Sequence, residues 1–172
     1  MGVSGPVRAV RPDLDEVFRR DYRRVVGVAA RVLGSRDQAE DVAQEVFLSF
    51  GRSSVPAGEA RGWLSVAAAH TALNLLRSGR RRASREETAA AADDVVVSDV
   101  AEAVVTNEDR RRVRAALARL PRKQAVALVL RHSGLSYADV AAALDLSPGS
   151  VGTTVRRAES ALRKELRHAS SD

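Results

Sequence analysis

From residue 13 almost to the C-terminus, apolar positions recur at the three-to-four spacing of amphipathic helices. Leu14, Val17, Phe18, Val25, Val28, Ala29 and Val32 make one face of a first helix over about 13–33, and Gly34 stops it. Ser35 and Gln38 have the spacing of a capping box, which starts a second helix. That helix runs to about Phe50 and buries Val42, Ala43, Val46, Phe47 and Phe50. Gly51 to Gly58, with Pro56, reads as a loop. A third helix covers about 59–78, and Arg80, Arg81 and Arg82 close the unit. Between 83 and 106 the apolar stripe is lost among alanines and acids, which predicts a flexible linker. Val95-Val96-Val97 is the one strand-like run, too short to build a sheet.

Helical periodicity returns near Asn107. One helix ends at Leu120, before Pro121, and another spans about 122–132 with Gly134 as its stop. Ser136 and Asp139 cap a short helix ending near Leu144. Ser147-Pro148 places an N-cap before a first-turn proline, opening a last helix to about Arg167. The expected fold is all-α: two small helical domains, 10–82 and 107–168, joined by the acidic linker 83–106.

Tyr137 to Leu144, the turn Asp145-Leu146-Ser147 and the helix from Pro148 have the layout of a helix-turn-helix. Val140, Ala141 and Leu144 can meet Leu146, Val151, Val155 and Leu162. This leaves Ser150, Thr153, Thr154, Arg156 and Arg157 on the outer side of the second helix. Hydroxyl and guanidinium groups in such a position reach base edges and phosphates in a major groove. Gly152 weakens that helix slightly, since an interior glycine costs about 1 kcal/mol against alanine.

Charge sharpens this division. Residues 1–82 carry fourteen arginines against nine acids, net +5; residues 83–109 are net −7; residues 110–172 are net +8. Two basic blocks around an acidic one suit two polyanion-facing domains and a linker that avoids DNA. High-GC codon usage accounts for part of the arginine excess, as only Lys123 and Lys164 are lysines, but not for the segregation of sign. The chain has no cysteine, which excludes disulfides and Cys-based zinc sites. No apolar run approaches a membrane-spanning length, so no membrane association and a cytoplasmic location are expected.

Ala118-Arg119-Leu120-Pro121, Leu128-Val129-Leu130-Arg131, Leu135-Ser136-Tyr137-Ala138-Asp139-Val140-Ala141, Arg157-Ala158 and Leu162-Arg163 together resemble the −35-binding domain of bacterial sigma factors. The resemblance is to the extracytoplasmic-function (ECF) group, which keeps two domains, and the composition suits an actinobacterium-like source. A second match lies in the N-terminal half. Asp37-Gln38-Ala39-Glu40-Asp41-Val42-Ala43-Gln44-Glu45-Val46-Phe47 is similar to the helix by which the family docks on core RNA polymerase. Its periodicity puts Asp41, Gln44, Glu45 and Leu48 on the side opposite the apolar face. The N-terminal preference for acids accounts for Asp37 and Glu40 but not for Gln44 and Glu45.

What the resemblance implies is a sigma factor that directs core polymerase to promoters and opens them. Core contacts would be made to the β′ clamp helices through Asp41, Gln44, Glu45 and Leu48, and to the β flap. The third helix would recognise and melt the −10 element through Arg61, Trp63, His70, Asn74, Arg77, Arg80 and Arg81, with the 51–58 loop holding a flipped base. Trp63, the only tryptophan, is the exception in that set: its residue type favours a core position. The C-terminal domain would read the −35 element through Ser136, Ser150, Thr153, Thr154, Arg156 and Arg157. An anti-sigma factor is a further partner the family allows. His70 stands where the family usually has Asn, Asn74 where it often has Asp, and Gly152 and Thr154 where Lys and Arg are common.

Two other classes compete. A stand-alone helix-turn-helix repressor would dimerise on a palindromic operator, but it leaves the acidic and amide helix at 37–50 without a task. An enzyme would need a nucleophile–base pair or ligand spacing around His70, His132 or His168, and none is visible. No catalytic residue, metal ligand or cofactor is therefore expected.

Overall fold

Caps written into the sequence set most helix boundaries in the computed structural model, which describes residues 9–86 and 107–171. Helices α1 (Leu14–Leu33), α2 (Arg36–Gly51) and α3 (Ala60–Glu86) form the N-terminal unit, with a 3-10 turn at Ala57–Glu59 before α3. Helices α4 (Asn107–Arg119), α5 (Arg122–His132), α6 (Tyr137–Leu144) and α7 (Pro148–Ala169) form the C-terminal one. No strand occurs among the described residues.

Gly34 takes φ +68° and its N–H closes on Ala30 O, ending α1 in the left-handed geometry that glycine adopts at least cost. Ser35 then accepts from the Gln38 N–H at 3.3 Å to start α2. The same device recurs at α6, where Ser136 accepts from the Asp139 N–H at 3.1 Å. The α6–α7 turn is sharper. Asp145 adopts φ +54°, a left-handed conformation that short polar side chains tolerate, and Leu146 N–H donates to Ala141 O at 2.9 Å. Ser147 occupies the N-cap position of α7, but its hydroxyl pairs with that of Ser150 at 2.6 Å and makes no cap bond.

The N-terminal core is built from Val17, Val25, Val28, Val32, Val42, Val46, Phe50, Leu64 and Leu73, all nearly or fully buried. Each such side chain contributes roughly 1.5–3 kcal/mol by leaving water. Ala29, Ala39, Ala43, Ala68, Ala69 and Ala72 have no exposed surface, so the helices approach closely with few aromatics. The C-terminal core uses Val126, Leu130, Leu135, Val140, Val151 and Ala158.

One expectation is corrected. The third helix does not close at 78–82: it continues to Glu86, four residues into the expected linker. Arginine is a good helix former, so the Arg80–Arg82 cluster prolongs the helix rather than ending it. The rest of the linker, 87–106, lies outside the described residues. The two units share one buried apolar cluster. The buried apolar cluster runs on from the α1–α3 core through Leu117 and Leu120 into α5. Small residues allow this approach: a Cβ added at Gly62 would lie 3.6 Å from the Ala143 methyl. At another edge of the contact, a Cβ added at Gly34 would lie 2.5 Å from the Arg114 guanidinium of α4.

Candidate nucleic-acid interface

Helix α2 buries Ala39, Val42, Ala43, Val46, Phe47 and Phe50, and this turns Asp41, Gln44, Glu45 and Leu48 outward. Leu48 is 62% exposed. Beside it, Val10, Pro12, Leu14, Phe18 and Phe47 line a shallow apolar cleft that also reaches Gln44. Acid, amide and apolar groups thus share one accessible face. Glu40 lies in the first turns and is tied to Arg36 at 3.1 Å.

The residues expected to face the −10 element split into groups. Arg61 is exposed near the start of α3. It lies close enough to Arg24 of α1 that its charge, after burial, helps hold the Arg24 guanidinium below its ordinary range. Trp63 is half-buried, with its ring 5.8 Å from that of Phe50, as a core residue would be. The loop before α3 is drawn back onto α1 and the segment before it: Arg11 donates to Val55 O at 2.6 Å and Arg20 to Ala57 O at 3.2 Å. Arg80 and Arg81 lie on the helical backbone of α3, and their side chains fall outside the described residues.

His70, Asn74 and Arg77 share a stripe of α3 at i, i+4 and i+7, and all three meet the C-terminal unit. Arg77 donates from Nε to Ala118 O at 3.1 Å and from Nη2 to Leu120 O at 2.9 Å. Those carbonyls belong to the C-terminal end of α4, where a cation is favoured and Pro121 offers no N–H. Arg122, the first residue of α5, donates one arm of its guanidinium to His70 Nδ1 at 3.1 Å and the other to Asn74 Oδ1. Burial, and then the charge of Arg122, pushes the His70 imidazole below its usual pKa. Sequence reasoning had missed Arg122, because nothing local marks a residue whose partners lie 48 and 52 positions away.

On α7, Val151, Val155 and Ala158 are buried, leaving Thr153, Arg156 and Arg157 exposed on the outer side. Ser150 is half-buried. Thr154 is half-buried, and its Oγ1 donates to Ser150 O at 2.9 Å, a back-bond to its own helix. Ser136 is exposed but already accepts the cap bond of α6. Two further residues join this face. Tyr137, 45% exposed, places its ring edge 3.7 Å from where a Cβ of Gly152 would sit, and Arg131 lies 4.8 Å over that ring. Gln124 of α5 borders a groove with Thr153, Arg156, Arg157 and Ser160, and its Oε1 is buried without a hydrogen-bond partner.

An exposed acidic face on one unit and a basic helix-turn-helix on the other define a class of transcription factor with two working surfaces. Comparison with known proteins agrees: residues 17–82 match the sigma-70 region 2 family and residues 110–162 match sigma-70, region 4. The chain is 32% identical over 149 residues to the ECF RNA polymerase sigma factor SigK of Mycolicibacterium vanbaalenii, covering 83% of this chain and 76% of that protein. It is 31% identical over 171 residues to the ECF sigma factor SigE of Mycolicibacterium smegmatis, covering 96% of this chain and 66% of that one. It is also 31% identical over 167 residues to the RNA polymerase sigma-H factor of Pseudomonas aeruginosa, covering 88% of this chain and 85% of that one. The chain belongs to the ECF RNA polymerase sigma factors.

Among solved structures, the sigma factor RpoE from Bartonella quintana, crystallised with the anti-sigma factor NepR, shares the fold. It has a TM-score of 0.56 at 21% identity, over 91% of this chain and 98% of that one. As a family member, this chain is a DNA-binding factor that directs RNA polymerase to promoters in transcription initiation. Among the described residues no helix is long and apolar enough to cross a membrane.

Proposed function

We propose a division of labour in which α2 docks on core polymerase, α3 captures the −10 strand and α7 reads the −35 duplex. The observation that carries it is the pairing of two accessible surfaces of opposite character. Asp41, Gln44, Glu45 and Leu48 stand out from α2, while Thr153, Arg156 and Arg157 stand out from a capped helix-turn-helix. An acid and amide face with an apolar centre suits a basic protein helix such as the polymerase clamp. A hydroxyl and guanidinium face suits a major groove. The N-terminal domain runs to the end of α3 at Glu86, and the C-terminal domain begins with α4 at Asn107. The acidic segment between them suits the positively charged channels of the polymerase and would repel free DNA.

On this reading the chain itself catalyses no bond change: it binds, positions and separates strands, and the polymerase supplies the chemistry. Its site of action is then the cytoplasm, where the polymerase works. An anti-sigma factor is a fitting regulator, because the exposed α2 face with its apolar cleft offers a surface that a competitor of the polymerase could cover. The decisive experiment is run-off transcription with purified core polymerase and genomic fragments. Specific starts that depend on this protein are expected. A palindromic footprint by a stable homodimer, with no polymerase-dependent start, would establish the repressor instead.

A further inference from the structure

The loop between α2 and α3 has a composition poorly suited to hold one shape by itself: Gly51 and Gly58 bound it, and Ser53 and Ser54 lie within it. Two arginines from outside supply the support. Arg11 donates from Nη1 to Val55 O at 2.6 Å and Arg20 from Nη2 to Ala57 O at 3.2 Å, so the carbonyls on either side of Pro56 are both held. Each guanidinium is fixed in turn by a carboxylate. Asp13 accepts from Arg11 Nε and Nη2 at 2.5 and 2.8 Å, and Asp21 accepts from Arg20 Nε and Nη2 at 3.0 and 2.9 Å. Asp21 is the one buried acid among the described residues, and desolvating a carboxylate is costly unless it holds a partner in place. Arg11 also lies 4.1 Å over the ring of Phe50, which is buried in the core. Both arginines thus spend donors inward, on the loop and on its supports.

The anchored stretch alternates. Ser53, Val55 and Ala57 are half-buried, while Ser54, Pro56 and Gly58 are exposed, and a Cβ added at Gly58 would meet nothing within 4 Å. Its outer side is therefore open and lightly built. We propose that Arg11 and Arg20 are positioning residues for strand capture: they fix this loop in its base-holding shape before DNA arrives, with Asp13 and Asp21 holding them in place. This rests on the −10 reading given above, in which the 51–58 loop holds a flipped base. The gain is entropic. A loop ordered during folding does not have to be ordered when an unpaired base enters it. The planar fork of arginine reaches a carboxylate and a carbonyl together, whereas a lysine ammonium keeps the charge and loses the fork.

Arg11→Lys combined with Arg20→Lys separates geometry from charge. Two loop amides bond locally, Ser53 to Phe50 O and Glu59 to Pro56 O, both at 2.9 Å, and both should exchange hydrogen faster in the double variant. The amides within α1, α2 and α3 should keep parental protection. The DNA probe is a promoter mapped in the transcription assay and pre-opened by mismatches across its −10 segment. Holoenzyme carrying the double variant should bind it roughly five- to thirtyfold more weakly, the factor that ordering about one residue's backbone represents. Binding to core polymerase, binding to fully paired promoter and the salt slope on the opened fragment should match the parent. Arg20→Lys alone leaves the Arg11 contact with Phe50 intact and should give a smaller change in the same direction. It carries the test if the double variant loses helical content.

Unchanged exchange at the loop amides overturns the anchoring. Faster exchange with parental affinity for the opened fragment overturns the link to capture. A loss shared by the paired promoter, or a lower salt slope, makes the arginines phosphate contacts and overturns their positioning role. Ser54→Asp, which sets a negative charge on the exposed side of the loop, tests the underlying reading separately. Parental binding of the opened fragment by Ser54→Asp removes the loop from the −10 site. Weakened binding by Ser54→Asp beside a parental double variant keeps the loop in that site and overturns the anchors alone.

Discussion

The two surfaces proposed for nucleic acid are presented in opposite ways. On α7 the polar residues that face outward do so because the helix buries its other side within its own unit, and Thr153, Arg156 and Arg157 are accessible as the chain stands. On α3 the corresponding residues are bound to another part of the same chain. On the proposed assignment the difference follows the ligand. Duplex DNA is always available for reading, and a surface for it can stay open. A separated −10 strand exists only once the polymerase has engaged the promoter, and a surface for it can stay covered until then.

The largest effect is expected from the α2 face proposed to link the molecule to the polymerase. Reversing Asp41 and Glu45 together to Arg should abolish copurification with core polymerase, because both carboxylates are exposed on one side of α2. Normal retention would remove α2 from the docking role. Next comes the duplex surface. Arg156→Ala or Arg157→Ala should each weaken −35 binding by about 1–3 kcal/mol if the guanidinium reads a base pair. If it holds a phosphate, the salt slope should fall by about one. Footprints of both mutants that match the parent across a salt series would mean that the open face lies elsewhere on the unit.

The covered surface should respond to acid. With the two units packed together, the closed state, His70 is held below its ordinary pKa by burial and by the adjacent Arg122 guanidinium, and opening returns it towards 6.5. The closed state binds fewer protons, so closure is favoured above about 6.5 and is lost progressively as pH falls below it. Energy transfer between dyes placed on the two units should therefore drop on acidification, and His70→Gln should flatten the profile. A pH-independent parent would break the assignment of His70 to the contact. The smallest effect is on stability. Gln124→Leu removes a buried acceptor that has no partner, and should raise the unfolding free energy by about 1 kcal/mol in a denaturant titration.

The boundaries of α2, α5 and α6 could be read within a residue because their signals are local. Ser35, Gly134 and Ser136 act through neighbours three positions away. The end of α3 could not, since the arginine run, though a good helix former, carries no local stop or cap signal. Periodicity also placed Thr154 on the outer side of α7 but could not show that its hydroxyl would turn back onto Ser150. The closure of α3 was least legible of all. Arg77 and Arg122 read as surface charge, and only the packing of units far apart in sequence gives them partners 41 to 52 residues away.

Gly34 has a consequence for what substitutions the chain can accept. Its left-handed backbone already penalises any other residue, and a side chain there would also press on the Arg114 guanidinium of α4. A library randomised at this one codon would therefore be filtered twice, once for the stop of α1 and once for the fit of the second unit against the first. Alanine, the smallest replacement, would strain the turn and displace only the tip of a pliable arginine, whereas bulky residues would wedge the units apart. Selection for growth and selection for promoter output, applied to that library, would rank the survivors differently.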